Sequence, residues 1–222
     1  MSSYIVKILE THYITHDVKQ FVVEKPQGYV FNPGQATDVA INVPEWKDQL
    51  RPFTFTSLNV WDHLEFTIKI YPDRNGVTHQ LGKTNAGAEL IIHQPFGAIQ
   101  YKGPGIFIAG GAGITPFIAI LRQLSLNNQI EGNALIFSNK YAEDVILDEE
   151  LRKMLGNNYM SLLTRENLIG FDERRISRDF LVENIRDFSR NFYLCGPDKF
   201  VEDINAMLVD LGANPEYLIF EK

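Results

Sequence analysis

Three glycines in four positions, Gly110, Gly111 and Gly113, separate the apolar run Ile106-Phe107-Ile108-Ala109 from Thr115-Pro116 and a second apolar run, Phe117–Leu121. Without a Cβ the chain can turn sharply there, and a ligand can approach the backbone. Thr115 is expected to cap the helix that follows, and Pro116 suits a first turn, where a missing N–H costs nothing. Free N–H groups and the helix dipole then make a seat for a pyrophosphate. The same residues also suit a plain strand-to-helix turn, and a proline stands where a dinucleotide fingerprint usually has its third glycine.

Three other segments bring reactive or ligand-binding side chains together. In Arg51-Pro52-Phe53-Thr54-Phe55-Thr56-Ser57, strand alternation places Arg51, Phe53 and Phe55 on one side and Thr54 and Thr56 on the other. A cation, rings and hydroxyls are thus gathered in one short strand, which is equally readable as an ordinary strand with a surface arginine. Ile68-Lys69-Ile70-Tyr71 followed by Gly76-Val77-Thr78 reads as a strand, a glycine turn and a helix start, a second anion seat or a simple reversal. Tyr193-Leu194-Cys195-Gly196-Pro197 repeats the strand–glycine–proline–helix plan. It puts Cys195 at the carboxyl end of a strand, where open α/β sheets bind ligands, although a lone cysteine also serves packing.

The elements that must hold these segments change texture along the chain. Up to Lys102 short strands are expected at 4–9, 18–24, 36–42, 53–58, 64–71 and 89–93, punctuated by Pro26-Gln27-Gly28, Asn32-Pro33-Gly34 and Asp73–Gly76. That spacing suggests a small closed antiparallel barrel with one helical insertion, residues 76–86. After Gly103-Pro104-Gly105, strands at 106–109, 134–137, 159–164, 192–195 and 218–220 alternate with helices at 116–124, 148–155, 178–185 and 199–211. Alternation of this kind marks a doubly wound parallel sheet. The last helix aligns Phe200, Ile204, Met207, Leu208 and Leu211 on one face and stops at Gly212. The expected division is 1–102 and 103–222.

With 222 residues, 45% hydrophobic and 22% charged, the composition is that of a globular protein with a sizeable core. Apolar runs fall far short of a membrane span, and the first residues lack a signal-peptide plan, so cytoplasm is the expected compartment. One cysteine rules out an internal disulfide, a cysteine-ligated zinc and an iron–sulfur cluster held by this chain alone, and no metal site is read. A net charge of −7 argues against a nucleic-acid partner or an anionic membrane. The oligomeric state is not legible.

Taken together and in this order, the four segments resemble the ferredoxin–NADP reductase superfamily, and the resemblance runs along essentially the whole chain. Arg51 to Thr54 is similar to that family's Arg-x-Tyr-Ser flavin motif. Gly76-Val77-Thr78 is similar to its flavin-phosphate motif, Gly110 to Pro116 to its nicotinamide-nucleotide loop, and Cys195-Gly196-Pro197 to its Cys-Gly-Pro motif. The resemblance implies a flavin-binding barrel domain followed by an NAD(P)-binding α/β domain, with hydride passing from nicotinamide to flavin. It places Arg51 on the flavin phosphates, with Pro52 beside it. Phe53 would lie against the flavin ring system, and Lys69, Gly76, Val77 and Thr78 near the pyrophosphate. Thr54, Cys195 and Glu221 are the implied catalytic residues, and Gly196 and Pro197 line the nicotinamide end. FAD is expected rather than FMN, because a separate pyrophosphate motif is present. The sequence departs from the family at Phe53, which replaces a tyrosine, and at its end, where no terminal aromatic follows Glu221-Lys222. The far face of the flavin is therefore expected to be open or covered by another group.

The nicotinamide choice turns on the residues after the second and third parallel strands. Ser138-Asn139-Lys140 holds no acid for ribose hydroxyls, whereas Thr164-Arg165-Glu166 and Arg174-Arg175 offer a hydroxyl and guanidinium groups for a 2′-phosphate. NADPH is expected ahead of NADH, with Thr164, Arg165 and Arg174 as its binders; surface pairing of these arginines with Glu166, Asp172, Glu173 or Asp179 is the alternative. The expected acceptor is a protein such as flavodoxin or ferredoxin. Rival readings are a free-flavin reductase, an electron-transfer subunit of a larger complex and a flavin-free binding module.

Overall fold

A computed structural model describes residues 3–97 and 99–220. Glu221, expected at the reaction centre, lies outside the described residues. The chain forms two compact units, Met1–Ala98 with Thr115–Gln123, and Ile99–Ile114 with Leu124–Lys222.

The first unit holds β1 (Tyr4–Tyr13), β2 (Val18–Glu24), β3 (Ala36–Ile41), β4 (Arg51–Thr54), β5 (His63–Lys69), the short helix α1 (Val77–Lys83) and β6 (Glu89–Ile92). Its antiparallel sheet runs β4-β3-β6-β1-β2-β5. Phe55 then bridges to Phe66, and Thr56 N–H donates to Glu65 O at 2.9 Å, so the two edges meet and the sheet nearly closes. Closure leaves no long unpaired edge to template association. Pro52 sits on β4, whose pairing within the sheet is to β3 alone, where its missing N–H is tolerated. Inside are Phe21, Val39, Phe55, Leu64, Phe66, Leu81 and Leu90, each fully buried.

Two strands differ most from expectation. β1 runs to Tyr13 rather than residue 9, because a bulge between Ile8 and Glu10 lets it leave β6 and continue along β2. The bulge adds the curvature that a barrel needs. β4 begins at Arg51 and ends at Thr54, not at residue 58, because pairing passes from β3 to β5 at Phe55. Alternation therefore stops there, and Phe55 and Thr56 are both buried instead of pointing opposite ways.

The second unit carries β7 (Gly105–Gly110), β8 (Ala134–Asn139), α3 (Asp148–Leu155), β9 (Tyr159–Leu163), α4 (Arg178–Asn184), β10 (Asn191–Cys195), α5 (Asp198–Asp210) and β11 (Leu218–Phe220). The intervening helix α2 (Thr115–Leu126) has its first nine residues in the first unit. All five strands are parallel, in the order β11-β10-β7-β8-β9. The chain thus starts in the middle, winds to one side, crosses back and winds to the other. Ile106, Ile108, Phe192 and Leu194 pack on one face against Phe180, Leu181, Ile204 and Leu208 of α4 and α5. On the opposite face Phe107 and Tyr193 stack with ring centroids 4.4 Å apart. Burial on both faces is why these strands read as unbroken apolar runs. No helix among the described residues is long and apolar enough to cross a membrane.

Candidate active site

In a doubly wound sheet the crevice for a ligand opens beyond the carboxyl ends of the two strands where winding reverses. Here those strands are β7 and β10, hydrogen-bonded neighbours with Ala109 opposite Cys195. Their ends carry Gly110–Gly113 and Cys195–Gly196, so two motifs separated by about eighty residues in sequence share one place. Gly111 takes a left-handed φ of +53° with nothing within 4 Å of a notional Cβ, so the space above it is open. Gly113 differs, because a Cβ there would overlap the Cys195 carbonyl and approach Gly196 N to 2.6 Å. Phe200, from the first turn of α5, fills the space beside Gly110 and Gly196. Only glycine lets the two strand ends come this close.

Residues 111–114 form a 3₁₀ turn that runs straight into α2. Thr115 is consequently the first helical residue and not a cap, since its backbone is already inside the continuous turn. Pro116 is buried in the first turn, as its sequence position requires, and α2 has no acidic residue there to compete with an anion. Cys195 is half-buried at the tip of β10, and Pro197, exposed, precedes α5.

At the neighbouring tips of β8 and β9, Thr164 donates from its N–H and its Oγ1 to the Asn139 carbonyl at 2.9 and 3.1 Å, and Arg165 N–H donates to Lys140 O at 3.1 Å. The Arg165 side chain is exposed and, among the described residues, pairs with no carboxylate. Glu166 instead accepts from Ala142 N–H at 2.7 Å. Arg174 is occupied differently. Its guanidinium binds Asp172 at 2.7 Å and Glu183 at 2.5 Å and lies over the Phe180 ring. The Arg174 hydrogen bonds hold the Asp172 carboxyl below the usual aspartate range. Asn139, noted in the sequence only as part of a segment without an acid, is buried at the tip of β8 with neither amide atom partnered among the described residues. A polar residue ending an apolar run was the available signal.

In the first unit, Arg51 and Pro52 are exposed on β4, while Phe53 packs against the barrel core and Thr54 is half-buried. One Arg51 nitrogen donates to the Leu50 carbonyl at 2.6 Å, and among the described residues the rest of its donor set has no protein partner. Lys69 pairs with Asp17 at 2.8 Å. Gly76 precedes α1 in extended conformation, with open space about it and no side-chain cap. Val77 is buried and anchors the turn, Thr78 is half-buried, and His79 Nδ1 is buried without a partner among the described residues. Unspent Arg51 donors, an uncapped first turn without acids and an orphaned ring nitrogen together fit a phosphate-bearing flavin such as FAD.

Two family models match. The oxidoreductase FAD-binding domain covers residues 5–101, and the oxidoreductase NAD-binding domain covers residues 107–206. The chain is 26% identical over 230 residues to NADH–cytochrome b5 reductase 1 of Arabidopsis thaliana, covering 95% of this chain and 80% of the relative. It is 24% identical over 213 residues to the reductase component of propane 2-monooxygenase from Rhodococcus jostii, covering 89% of this chain and 57% of that longer protein. Among solved structures, a ferredoxin NADP+ reductase from Neisseria gonorrhoeae with bound FAD and NADP superposes with a TM-score of 0.83 at 22% identity, over 96% of this chain and 92% of that one. With an oxidoreductase FAD-binding and an oxidoreductase NAD-binding model matching in succession over nearly all of it, the chain belongs to the NAD(P)H–flavin oxidoreductases, which are enzymes, and it has the fold of the ferredoxin NADP+ reductase structure.

Proposed function

We propose that this enzyme retains FAD on residues 1–102, takes hydride preferentially from NADPH on residues 103–222, and delivers electrons to an acceptor protein of the flavodoxin or ferredoxin kind. The observation that carries the reading is the meeting of Gly110–Gly113 and Cys195–Gly196 at the winding reversal of the parallel sheet. Bound FAD supplies the redox chemistry, accepting a hydride and releasing its electrons to the acceptor. The chain's own residues bind and orient. Arg51 would neutralise flavin phosphate with the donors it does not spend on Leu50. Thr78 and the amides after Gly76 would hold the pyrophosphate, with Pro52, Val77 and Lys69 shaping that region. Phe53 offers a flat apolar surface, and the Thr54 hydroxyl would hydrogen-bond the reactive edge of the flavin.

For the nicotinamide nucleotide, Gly110, Gly111, Gly113, Thr115 and Pro116 would cradle the pyrophosphate. Cys195, with Gly196 and Pro197 behind it, would sit beside the nicotinamide, and Glu221 would hold or move a proton there. The Arabidopsis relative is named for NADH and the Neisseria structure for NADP, so the NADPH preference rests on this chain's residues. Arg165 favours it, being an exposed guanidinium that follows Thr164 and, among the described residues, has no carboxylate to quench it. The Rhodococcus relative is named as the reductase component of a monooxygenase, which supports a protein acceptor. A single thiol and a nicotinamide substrate suit the cytoplasm.

A steady-state panel of NADH and NADPH against flavodoxin, ferredoxin, ferricyanide and free FMN tests the reading. Yellow protein that keeps its colour on dilution and reduces a protein acceptor faster with NADPH is the expected result. Loss of all colour with free FMN as the only good acceptor would instead make flavin a substrate.

A further inference from the structure

Helix α2 contains one charged residue, Arg122, in the otherwise uncharged sequence TPFIAILRQLSL. Its side chain is only 10% exposed, and that of its partner Glu65 is 8% exposed. Arg122 Nη1 donates to Glu65 Oε1 at 2.6 Å and to the Thr56 carbonyl at 2.7 Å. The same Glu65 oxygen accepts from Thr56 Oγ1 at 2.7 Å, and the guanidinium lies 5.2 Å from the Trp61 ring centroid. All of these residues belong to the first unit.

A buried ion pair is a poor device for stability alone, because desolvation offsets its attraction and well-packed apolar side chains do as well. What it supplies is a single geometry, since a planar guanidinium meets its acceptors in few orientations. Arg122 lies two helical turns, roughly 10 Å, beyond Thr115, and a helix transmits an axial constraint over that span. Thr56 lies two residues beyond Thr54 on the same segment. One clasp therefore fixes where the first turn of α2 stands with respect to the strand that begins at Arg51.

We propose that Arg122 is a positioning residue for hydride transfer: through Glu65 and the Thr56 carbonyl it sets the placement of the α2 first turn on the segment that carries Thr54. This rests on the reading of Thr115 and Pro116 as part of the nicotinamide-nucleotide cradle. Misplacement of a bound reactant by about 1 Å costs on the order of a hundredfold in rate, so a small slip of α2 is measurable.

The test uses the FAD-loaded enzyme, the double variant Arg122→Met with Glu65→Leu, which leaves no unpaired buried charge, and the milder Arg122→Lys. FAD affinity is measured by fluorescence titration of deflavinated protein. NADP+ and NAD+ affinities are measured by flavin difference absorbance, and kcat and KM are determined separately. The expected result is a folded double variant with FAD affinity within about twofold of wild type, nucleotide affinity weakened about tenfold and kcat lowered at least tenfold, with Arg122→Lys in between. Unchanged nucleotide affinity and kcat in the double variant would overturn the proposal. So would parallel loss of FAD affinity and thermal stability, or a double variant that does not fold beside an unaltered Arg122→Lys enzyme. A wild-type protein whose flavin spectrum ignores both nucleotides would instead remove the underlying cradle assignment.

Discussion

Gly113 lies against the carbonyl of Cys195 so closely that no side chain fits between them. The obstructing atoms are backbone atoms of Cys195 and Gly196, which cannot rotate aside as a flexible side chain would. Gly113→Ala must therefore push the turn after β7 away from the end of β10. Overpacking of this kind costs about 1–3 kcal/mol, so thermal unfolding should move down by several degrees. Nucleotide affinity, read from the flavin difference spectrum, should fall more than tenfold on the order expected for a cradle opened at its base. Gly111→Ala tests the other property of the turn, because its Cβ meets open space and its cost comes from the left-handed φ alone.

Arg165 and Arg174 separate two uses of a guanidinium. Arg165→Ala should raise KM for NADPH about tenfold and leave KM for NADH within about twofold, as loss of a phosphate pair predicts. Arg174→Ala should disturb both nucleotides equally and weakly, because its charge is spent on Asp172 and Glu183. Steady-state kinetics with both nucleotides decide the matter. Equal sensitivity of NADPH and NADH to Arg165→Ala would remove the 2′-phosphate assignment.

Phe55 closes the barrel, bridging to Phe66 and stacking on Phe31 with centroids 4.2 Å apart. It is fully buried, so Phe55→Ala should cost about 3–5 kcal/mol in chemical denaturation. Because Thr54 precedes it directly, the variant should also release FAD more readily, seen as a rise in flavin fluorescence on dilution.

Tyr29 is 4% exposed, its Oη donates to the His93 carbonyl at 2.5 Å, and burial pushes its phenol from 10 up to about 12. Burial favours the neutral form, so the native chain keeps this proton to higher pH than the unfolded chain. The resulting stabilisation is complete below about pH 10 and is lost as pH rises through about 12, amounting to about 3 kcal/mol from two pH units. Tyr159 and Tyr193 are also raised by burial and steepen the same alkaline limb. Urea denaturation between pH 8 and 12 should show a shallower decline for Tyr29→Phe than for wild type.

Most of the elements were legible because their signals are local. The unbroken apolar run that forms β7 follows from burial on both faces, and β2 has the bounds expected of it. Strand ends were less legible. Nothing within residues 51–58 announces that pairing passes from β3 to β5 at Phe55, since that exchange depends on a partner elsewhere in the chain. Thr115 was misread as a cap for a similar reason, because the hydrogen bonds of the preceding glycine turn decide whether its backbone is already helical.

By itself the amino-acid order determined the succession of a barrel and a wound parallel sheet, and marked the four candidate ligand-binding segments, because glycine freedom, strand period and helix period act within a few residues. Only the tertiary structure decided how charge and close contact are spent. It gave Arg174 to Asp172 and Glu183, joined Arg122 to Glu65 across 57 positions, and pressed Gly113 against Cys195. Each of these depends on atoms brought within a few ångströms by the whole path of the chain, and sequence spacing carries no record of that distance.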